Sequence, residues 1–258
     1  MMKKEQQSTS PLSAEKAFLD KVSETYVTSI SSSSQDRLIR ELVVRTLTPF
    51  INRRSRALEL GCSDGYMTHQ ISQLVEALDI IEGSNKFIEE AQKLNTQKNT
   101  HFIYALFEEY ETDVRYDYVF ATFVLEHVID VNKVLRMIRS VLKPSGLLFV
   151  VVPNANALSR QLAYHMGLIT DLKGLTDNDL HHGHRRVYDR VVLNRDLTEA
   201  GFVIMSQGGI LLKFLADFQM DKMIDSGILQ EPQLNGLYTL GFEYPDLCGS
   251  LFAVCKLP

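Results

Sequence analysis

Apolar residues recur along the chain in two rhythms. Between Gln35 and Ile51, Leu38, Leu42, Val43 and Leu47 fall on one helical face. Ala14 to Ile30 has the same spacing through Ala17, Phe18, Val22, Tyr26 and Val27, and a serine run, Ser31 to Ser34, separates the two. From Arg56 the rhythm changes. Short apolar runs at Ala57–Leu60, Val75–Glu82, His101–Leu106, Tyr116–Phe123 and Leu147–Val152 predict strands. Amphipathic segments lie between them: Tyr66–Leu74, Asn85–Leu94 behind a Ser84 cap, and Val131–Leu142 behind an Asp130 cap. Lys143-Pro144-Ser145-Gly146 is expected to stop the last of these. Five alternations of strand and helix predict an α/β fold with a parallel, doubly wound sheet.

Past Pro153-Asn154 the chain changes character. Asn156–Leu168 predicts a helix, Thr170–Arg186 is polar and holds His181, His182 and His184, and Arg190–Ala200 predicts a helix ending at Gly201. Phe202–Ser206 is strand-like, Leu211–Ile228 is expected to be helical, and Gly249–Lys256 supplies a last apolar strand. No repeat or linker interrupts the chain. The expectation is one domain over 14–258, with N-terminal helices and an inserted helical cap at about 155–187 and 211–245. Residues 1–13 are polar and are expected to form a disordered tail.

Composition narrows the classes. Hydrophobic residues make up 45% of the 258, enough for a sizeable core, and the net charge is −5 with no basic tract. Polymeric nucleic acid is therefore a poor partner. Cys62, Cys248 and Cys255 have no metal-ligand spacing and are odd in number, which fits a reducing compartment. The N-terminus lacks an apolar signal core, and the longest apolar run is of strand length. The protein is expected to be cytoplasmic, with no membrane partner.

The candidate chemistry centres on Glu59-Leu60-Gly61-Cys62-Ser63-Asp64-Gly65. A strand ends, a glycine turn follows and a helix begins, which lets bare backbone N–H groups approach a ligand. Glu59 would repel a pyrophosphate and attract a cation. The same letters spell the G-x-S-x-G nucleophile elbow around Ser63, but that reading needs preceding strands and an oxyanion loop that the first 60 residues lack. Glu82, about 20 residues beyond the turn, is placed to accept two ribose hydroxyls. Leu106-Phe107 with Glu108 suits an adenine, and Thr122-Phe123 leads to Glu126-His127.

With these motifs in order, the chain resembles the class I S-adenosylmethionine-dependent methyltransferases, over about residues 36–205 and the final strand. The carrying residues are Glu59–Gly65, Glu82, Tyr116-Asp117-Tyr118-Val119 leading to Val124-Leu125-Glu126-His127-Val128, and Leu142-Lys143-Pro144-Ser145-Gly146. The resemblance implies a seven-stranded, mostly parallel sheet whose last strand is antiparallel. It implies S-adenosylmethionine as cofactor, with Glu82 on the ribose, Leu106 and Phe107 on the adenine, and the turn (Gly61, Cys62, Ser63, Gly65) on the methionine end. Thr122 belongs to the same set. Ser63 stands where the family usually has glycine. Ubiquinone-type O-methyltransferases carry E-x-x-E-H for a divalent metal; here Phe123 takes the first position and no metal is assigned, while a metal held by Glu126 and the His181–His184 stretch is left open.

His127 is the leading general base, with Glu126 to orient it and His184 beside it as a further catalytic candidate. A helix-cap or packing histidine is the alternative. His182, Arg185 and Tyr188 are candidates for the acceptor, with Arg185 or Arg186 pairing a substrate carboxylate or phosphate. Tyr26 is a candidate to close over the methionine carboxylate. The expected activity is methyl transfer to a small-molecule acceptor. The alternatives are an enzyme that cyclises or cleaves S-adenosylmethionine, and a cofactor-binding regulatory protein. Oligomeric state, a dimer included, is left open.

Overall fold

A computed structural model describes the backbone of residues 11–258, and the side chains of all of these except 11–13 and 25–31. Two helices, α1 (Pro11–Ser31) and α2 (Ser34–Leu47), precede β1 (Arg56–Leu60). Then follow α3 (Tyr66–Ser72), β2 (Ala77–Glu82), α4 (Asn85–Leu94), β3 (Thr100–Tyr104), β4 (Tyr116–Thr122), α5 (Val131–Val141) and β5 (Leu142–Pro153). The remainder is α6 (Leu158–His165), α7 (Asp177–His181), α8 (Arg190–Glu199), β6 (Val203–Ile210), α9 (Asp217–Asp225), α10 (Glu231–Glu243) and β7 (Ser250–Lys256).

Among the described residues the strands form one sheet of seven, in the order β3-β2-β1-β4-β5-β7-β6. The first five pair in parallel, and β7 runs antiparallel to both β5 and β6. The predicted doubly wound fold with an antiparallel last strand is therefore present. Strand order reverses between β1 and β4, which opens a crevice beyond their carboxyl ends.

The central strands are apolar at almost every position because helices cover both faces. Leu58, Leu60, Val119, Ala121, Leu148, Val150 and Val152 pack toward Val134, Leu135 and Ile138 of α5 and Leu193 and Leu197 of α8. On the other face Ala57, Ile80, Phe120, Phe149 and Val151 pack toward Leu42 and Val43 of α2 and Ile71 of α3. The rings of Phe120 and Phe149 lie 4.9 Å apart.

Several boundaries differ from the sequence expectations. Helix α1 begins at Pro11, inside the expected tail; residues 1–10 lie outside the described residues. Lys143–Gly146 continues β5 instead of forming a loop, since Leu142 already pairs with Tyr116 of β4. The expected helix over 211–228 starts only at Asp217. Residues 211–216 form an irregular turn that follows directly on β6, because Leu211 adopts a φ of 60° and breaks the chain away from the sheet. Of the expected cap, α9 packs on α2, and α10 packs on β6 and reaches α2 through Tyr238, whose hydroxyl is 3.0 Å from Thr46 Oγ1. Among the described residues no helix is long and apolar enough to cross a membrane.

The first glycine turn is held against α4. Gly65 has φ 80°, and the Asn95 side chain donates to its carbonyl at 3.0 Å. A Cβ on Gly65 would lie 2.5 Å from Asn95 Nδ2 and 2.7 Å from Ala91 Cα. Gly65→Ala is therefore expected to destabilise the protein by about 1–3 kcal/mol in denaturant unfolding. An unfolding midpoint equal to that of the wild type would show that the turn moves freely off α4.

Candidate active site

The crevice between β1 and β4 is built from the residues that the sequence singled out. Gly61 has φ 76° and donates its N–H to Ile81 O at 2.8 Å, so the chain leaves β1 still tied to β2. Around its open face stand Val124, Phe107 and Glu82, each 3.6–3.9 Å from where a Cβ would lie. Ser63, the residue at the family's glycine position, adopts a φ of 48°. Serine there carries the strain that glycine would avoid. Its neighbour Asp64 receives both branches of a contact from Arg40 Nη1, at 2.8 and 2.9 Å, which ties the turn to α2.

Glu82 ends β2 in a buried position. Its Oε1 accepts the Ser84 N–H at 2.8 Å and its Oε2 accepts the Cys62 N–H at 3.2 Å. Burial pushes its carboxyl up to about 7 despite those donors. Glu59 is buried one strand away, and desolvation raises it further, to about 8. Ser63 Oγ is buried without a hydrogen-bond partner, and the Glu59 carboxyl and the Thr68 hydroxyl are buried against each other, all within this turn and the helix it opens. Buried polar atoms of a folded protein are rarely left so. A cationic, hydrogen-bonding ligand is what such a set can receive. Thr68 was not anticipated; its only sequence signal is a hydroxyl in the first turn of α3. Leu106 is buried beside Gly83, Phe107 is partly buried, and Thr122 closes β4 with its hydroxyl 4.0 Å from Met67 Sδ.

Helix α1 lies across this end of the sheet. Asp20 accepts a hydrogen bond from Ser84 Oγ at 2.5 Å, Lys86 pairs with Glu24 at 2.5 Å, and Leu19 approaches Gly83. Tyr26 lies on α1, and its side chain is outside the described residues. Arg185 departs from the sequence expectation. It donates to both Glu15 carboxylate oxygens at 2.8 Å and to His127 O at 2.8 Å, with the Phe18 ring 5.2 Å away. It fastens α1 to the segment after β4 and is not free for a substrate anion. Arg186 is also committed, donating to Leu125 O at 2.6 Å and Ile129 O at 3.2 Å.

The other side of the crevice gathers Glu126, His127 and His184, each offering an atom within 4.8 Å of the others. The backbone places them together, because the Arg185 N–H donates to Glu126 O at 2.8 Å. Glu126 is buried with Oε2 unpartnered, and burial pushes its carboxyl up to about 7. His127 was the leading base on sequence. Burial and the neighbouring His184 push it down to about 3, so it stays neutral and accepts a proton poorly. Its ring stands edge-on to His184, with centroids 4.8 Å apart. His184 Nδ1 lies 3.2 Å from Asp179 Oδ1, a partner that the sequence did not reveal. His182 sits 6.2 Å from His184 by ring centroids. Tyr188, the third acceptor candidate, is wholly buried, packed in the core on one side and lining the pocket beside Glu126 and His184 on the other. Glu126, Asp179, His184, Arg160, Arg186 and Asn154 line a pocket of about 250 Å³, its open mouth included.

Comparison with known proteins agrees with this geometry. Residues 32–207 match the family model described as a methyltransferase domain. A ubiquinone biosynthesis O-methyltransferase of Bradyrhizobium diazoefficiens is 30% identical over 165 residues, covering 63% of this chain and 64% of that protein. The chain thus matches less than two thirds of the length of that relative. The solved N-methyltransferase NodS from Bradyrhizobium japonicum, in complex with S-adenosyl-L-homocysteine, superposes with a TM-score of 0.56 at 14% identity, covering 88% of this chain and 89% of that one. A DhpI–SAH complex gives 0.57 at 19% identity over 95% and 94%.

The buried acids set a pH dependence. Glu59 titrates near 8 when folded against an ordinary 4.5, so the folded chain holds an extra proton between those values. That contribution to stability is complete below about 4.5 and is lost as pH rises through 8. Glu82 and Glu126 act in the same direction. Glu59→Gln is expected to flatten the fall in melting temperature of the cofactor-free protein between pH 5 and 9. A fall as steep as that of the wild type would mean that Glu59 is ionised in the folded chain.

Proposed function

The chain belongs to the methyltransferase-domain family, the class I group whose cofactor is S-adenosylmethionine, and we propose that it moves the cofactor's methyl group to a small acceptor bearing a hydroxyl or amine. The observation that carries this reading is the convergence of Gly61, Glu82, Phe107 and Val124 on one point of the crevice. In it Glu82 holds the ribose, Leu106 and Phe107 flank the adenine, and the turn from Gly61 to Gly65 takes the methionine end. Glu59, with the Thr68 hydroxyl against it, and the unpartnered hydroxyl of Ser63 receive the cationic end of the ligand.

The acceptor enters from the side of Glu126 and His184. Methyl transfer is an in-line displacement at the sulfonium methyl and needs alignment above all. An O–H or N–H acceptor must also give up a proton, and His184 is the group placed to take it. The two nearby arginines are spent on Glu15 and on backbone carbonyls, while Glu126 has a free oxygen. The pocket therefore favours a neutral hydrogen-bond donor over a carboxylate or phosphate. The O-methyltransferase name of the curated relatives is consistent with a hydroxyl. The site suits a reducing compartment such as the cytoplasm, where its three free cysteines stay thiols.

A second reading rests on the 4.8 Å cluster. Glu126, His127 and His184 are a donor set that a divalent cation accepts, and Glu126 Oε2 lacks any other partner. Such a cation would polarise the acceptor oxygen. Metal analysis of the purified protein, before and after chelation, separates the readings.

Two outcomes are expected. In calorimetry, S-adenosylhomocysteine binds the wild type, and Glu82→Ala weakens that binding by about 1.5–3 kcal/mol. Absence of binding to the wild type would sink the proposal. With an acceptor found by screening for S-adenosylhomocysteine release, His184→Ala is expected to lower kcat by about 10²-fold or more while leaving cofactor affinity intact. Release of methylthioadenosine instead would point to cleavage of the sulfonium.

A further inference from the structure

Asp179 lies far from the residues that carry the methyltransferase resemblance, in a stretch whose sequence suggests a polar loop. The structure gives it a short helix, α7, and a set of contacts unusual for a capping residue. Thr176 caps that helix, and the Asp179 N–H donates to Thr176 Oγ1 at 3.2 Å. In return Asp179 Oδ2 accepts from the Thr176 N–H at 2.8 Å and from its hydroxyl at 2.7 Å. Arg160 of α6 adds a third donor at 3.1 Å. That arginine is itself fixed by the carbonyls of Leu172, at 2.8 Å, and Gly174. Every one of these donors reaches Oδ2. The second oxygen, Oδ1, faces His184 Nδ1 at 3.2 Å, and the His184 N–H donates to Asp179 O at 2.8 Å.

The division of labour between the two oxygens is the point. One oxygen is anchored by α6 and the cap of α7, so the other cannot swing away. A carboxylate held in this way accepts an N–H and gives none. It fixes an imidazole ring in the tautomer with its proton on the near nitrogen, as the aspartate of a serine-protease triad does. The far nitrogen then carries the lone pair.

We propose that Asp179 is a positioning residue that holds the His184 proton on Nδ1 and so presents a bare Nε2 to the Glu126–His127 side of the pocket. The inference rests on the acceptor-side reading above but not on its details. A bare Nε2 is required whether His184 takes a proton from the acceptor or holds a cation. The charged and titratable groups around the ring are Asp179 from α7, Glu126 and His127 from the segment after β4, His182 on its own segment, and Arg160 and Arg186 at the pocket wall.

The test is the imidazole nitrogen spectrum of ¹⁵N-histidine-labelled full-length protein, chelator-treated, recorded at a pH near 8. No acceptor or turnover is needed, so failure of this inference is separable from failure of the methyltransferase reading, which cofactor calorimetry reports. In the wild type His184 is expected to show a protonated Nδ1 and an unprotonated Nε2. Asp179→Asn, whose amide can donate, should move the proton wholly or partly to Nε2, and Asp179→Glu should restore the wild-type pattern at least in part. Thr176→Ala, which loosens the cap but keeps the carboxylate, should leave the proton on Nδ1. That variant guards against the case where Asp179→Asn melts α7, which the backbone amides of residues 177–183 report. A wild-type ring protonated on Nε2 would overturn the proposal. So would an unchanged tautomer in a folded Asp179→Asn.

Discussion

The site hangs on one buried carboxylate. Glu82 ends β2 and accepts N–H groups from two different elements, Cys62 of the first glycine turn and Ser84 at the start of α4. Those contacts fix where β1 leaves the sheet and where α4 begins. They also leave the carboxylate at the rim of the crevice, where strand order reverses. Burial makes this expensive, since desolvation disfavours the charge that the two donors favour. A cation bound nearby would tip that balance toward the ionised form. A ligand there would also meet Glu59 and the unpartnered hydroxyl of Ser63.

A second constraint joins the two halves of the crevice. Helix α1 touches the β2 end of the crevice through Asp20 and Ser84, and the segment after β4 through Glu15 and Arg185. Arg185 also holds His127 O, so the segment after β4 and the N-terminal helix share one guanidinium. Most of the contact is polar and partly exposed, and such ion pairs each contribute little in water. Packing of Phe18 and Val22 against Gly183 completes the seam. Helix α1 thereby ties the Glu82 end of the crevice to the Glu126–His184 end.

On the acceptor side, three groups with conflicting preferences stand together. His127 is driven neutral, Glu126 is driven toward its protonated form, and His184 faces a carboxylate whose proton affinity is lowered mainly by the donors on it, against the effect of burial. Environments that push neighbouring titratable groups apart are a mark of sites that move protons or bind cations.

The sequence by itself determined the sheet. Five apolar runs with capped amphipathic segments between them allow little else, because only a doubly wound layer buries strands on both faces. It also placed Gly61, Gly65, Glu82 and Phe107 around one end of the crevice, since each lies at or just beyond a strand's carboxyl end, where local pattern dictates position. The acceptor side was decided by tertiary structure. Arg185 looked free in sequence, and only the packing of α1, 170 residues away, occupies it. Tyr188 is both core and pocket wall, which sequence alone could not show. The environment of His127, which no local pattern encodes, takes away its basicity. Asp179 carries no signal in a polar stretch; it matters because α6, α7 and the segment after β4 meet there. Strand ends are local facts of sequence, whereas the charge state and partners of a buried side chain depend on which distant elements close over it.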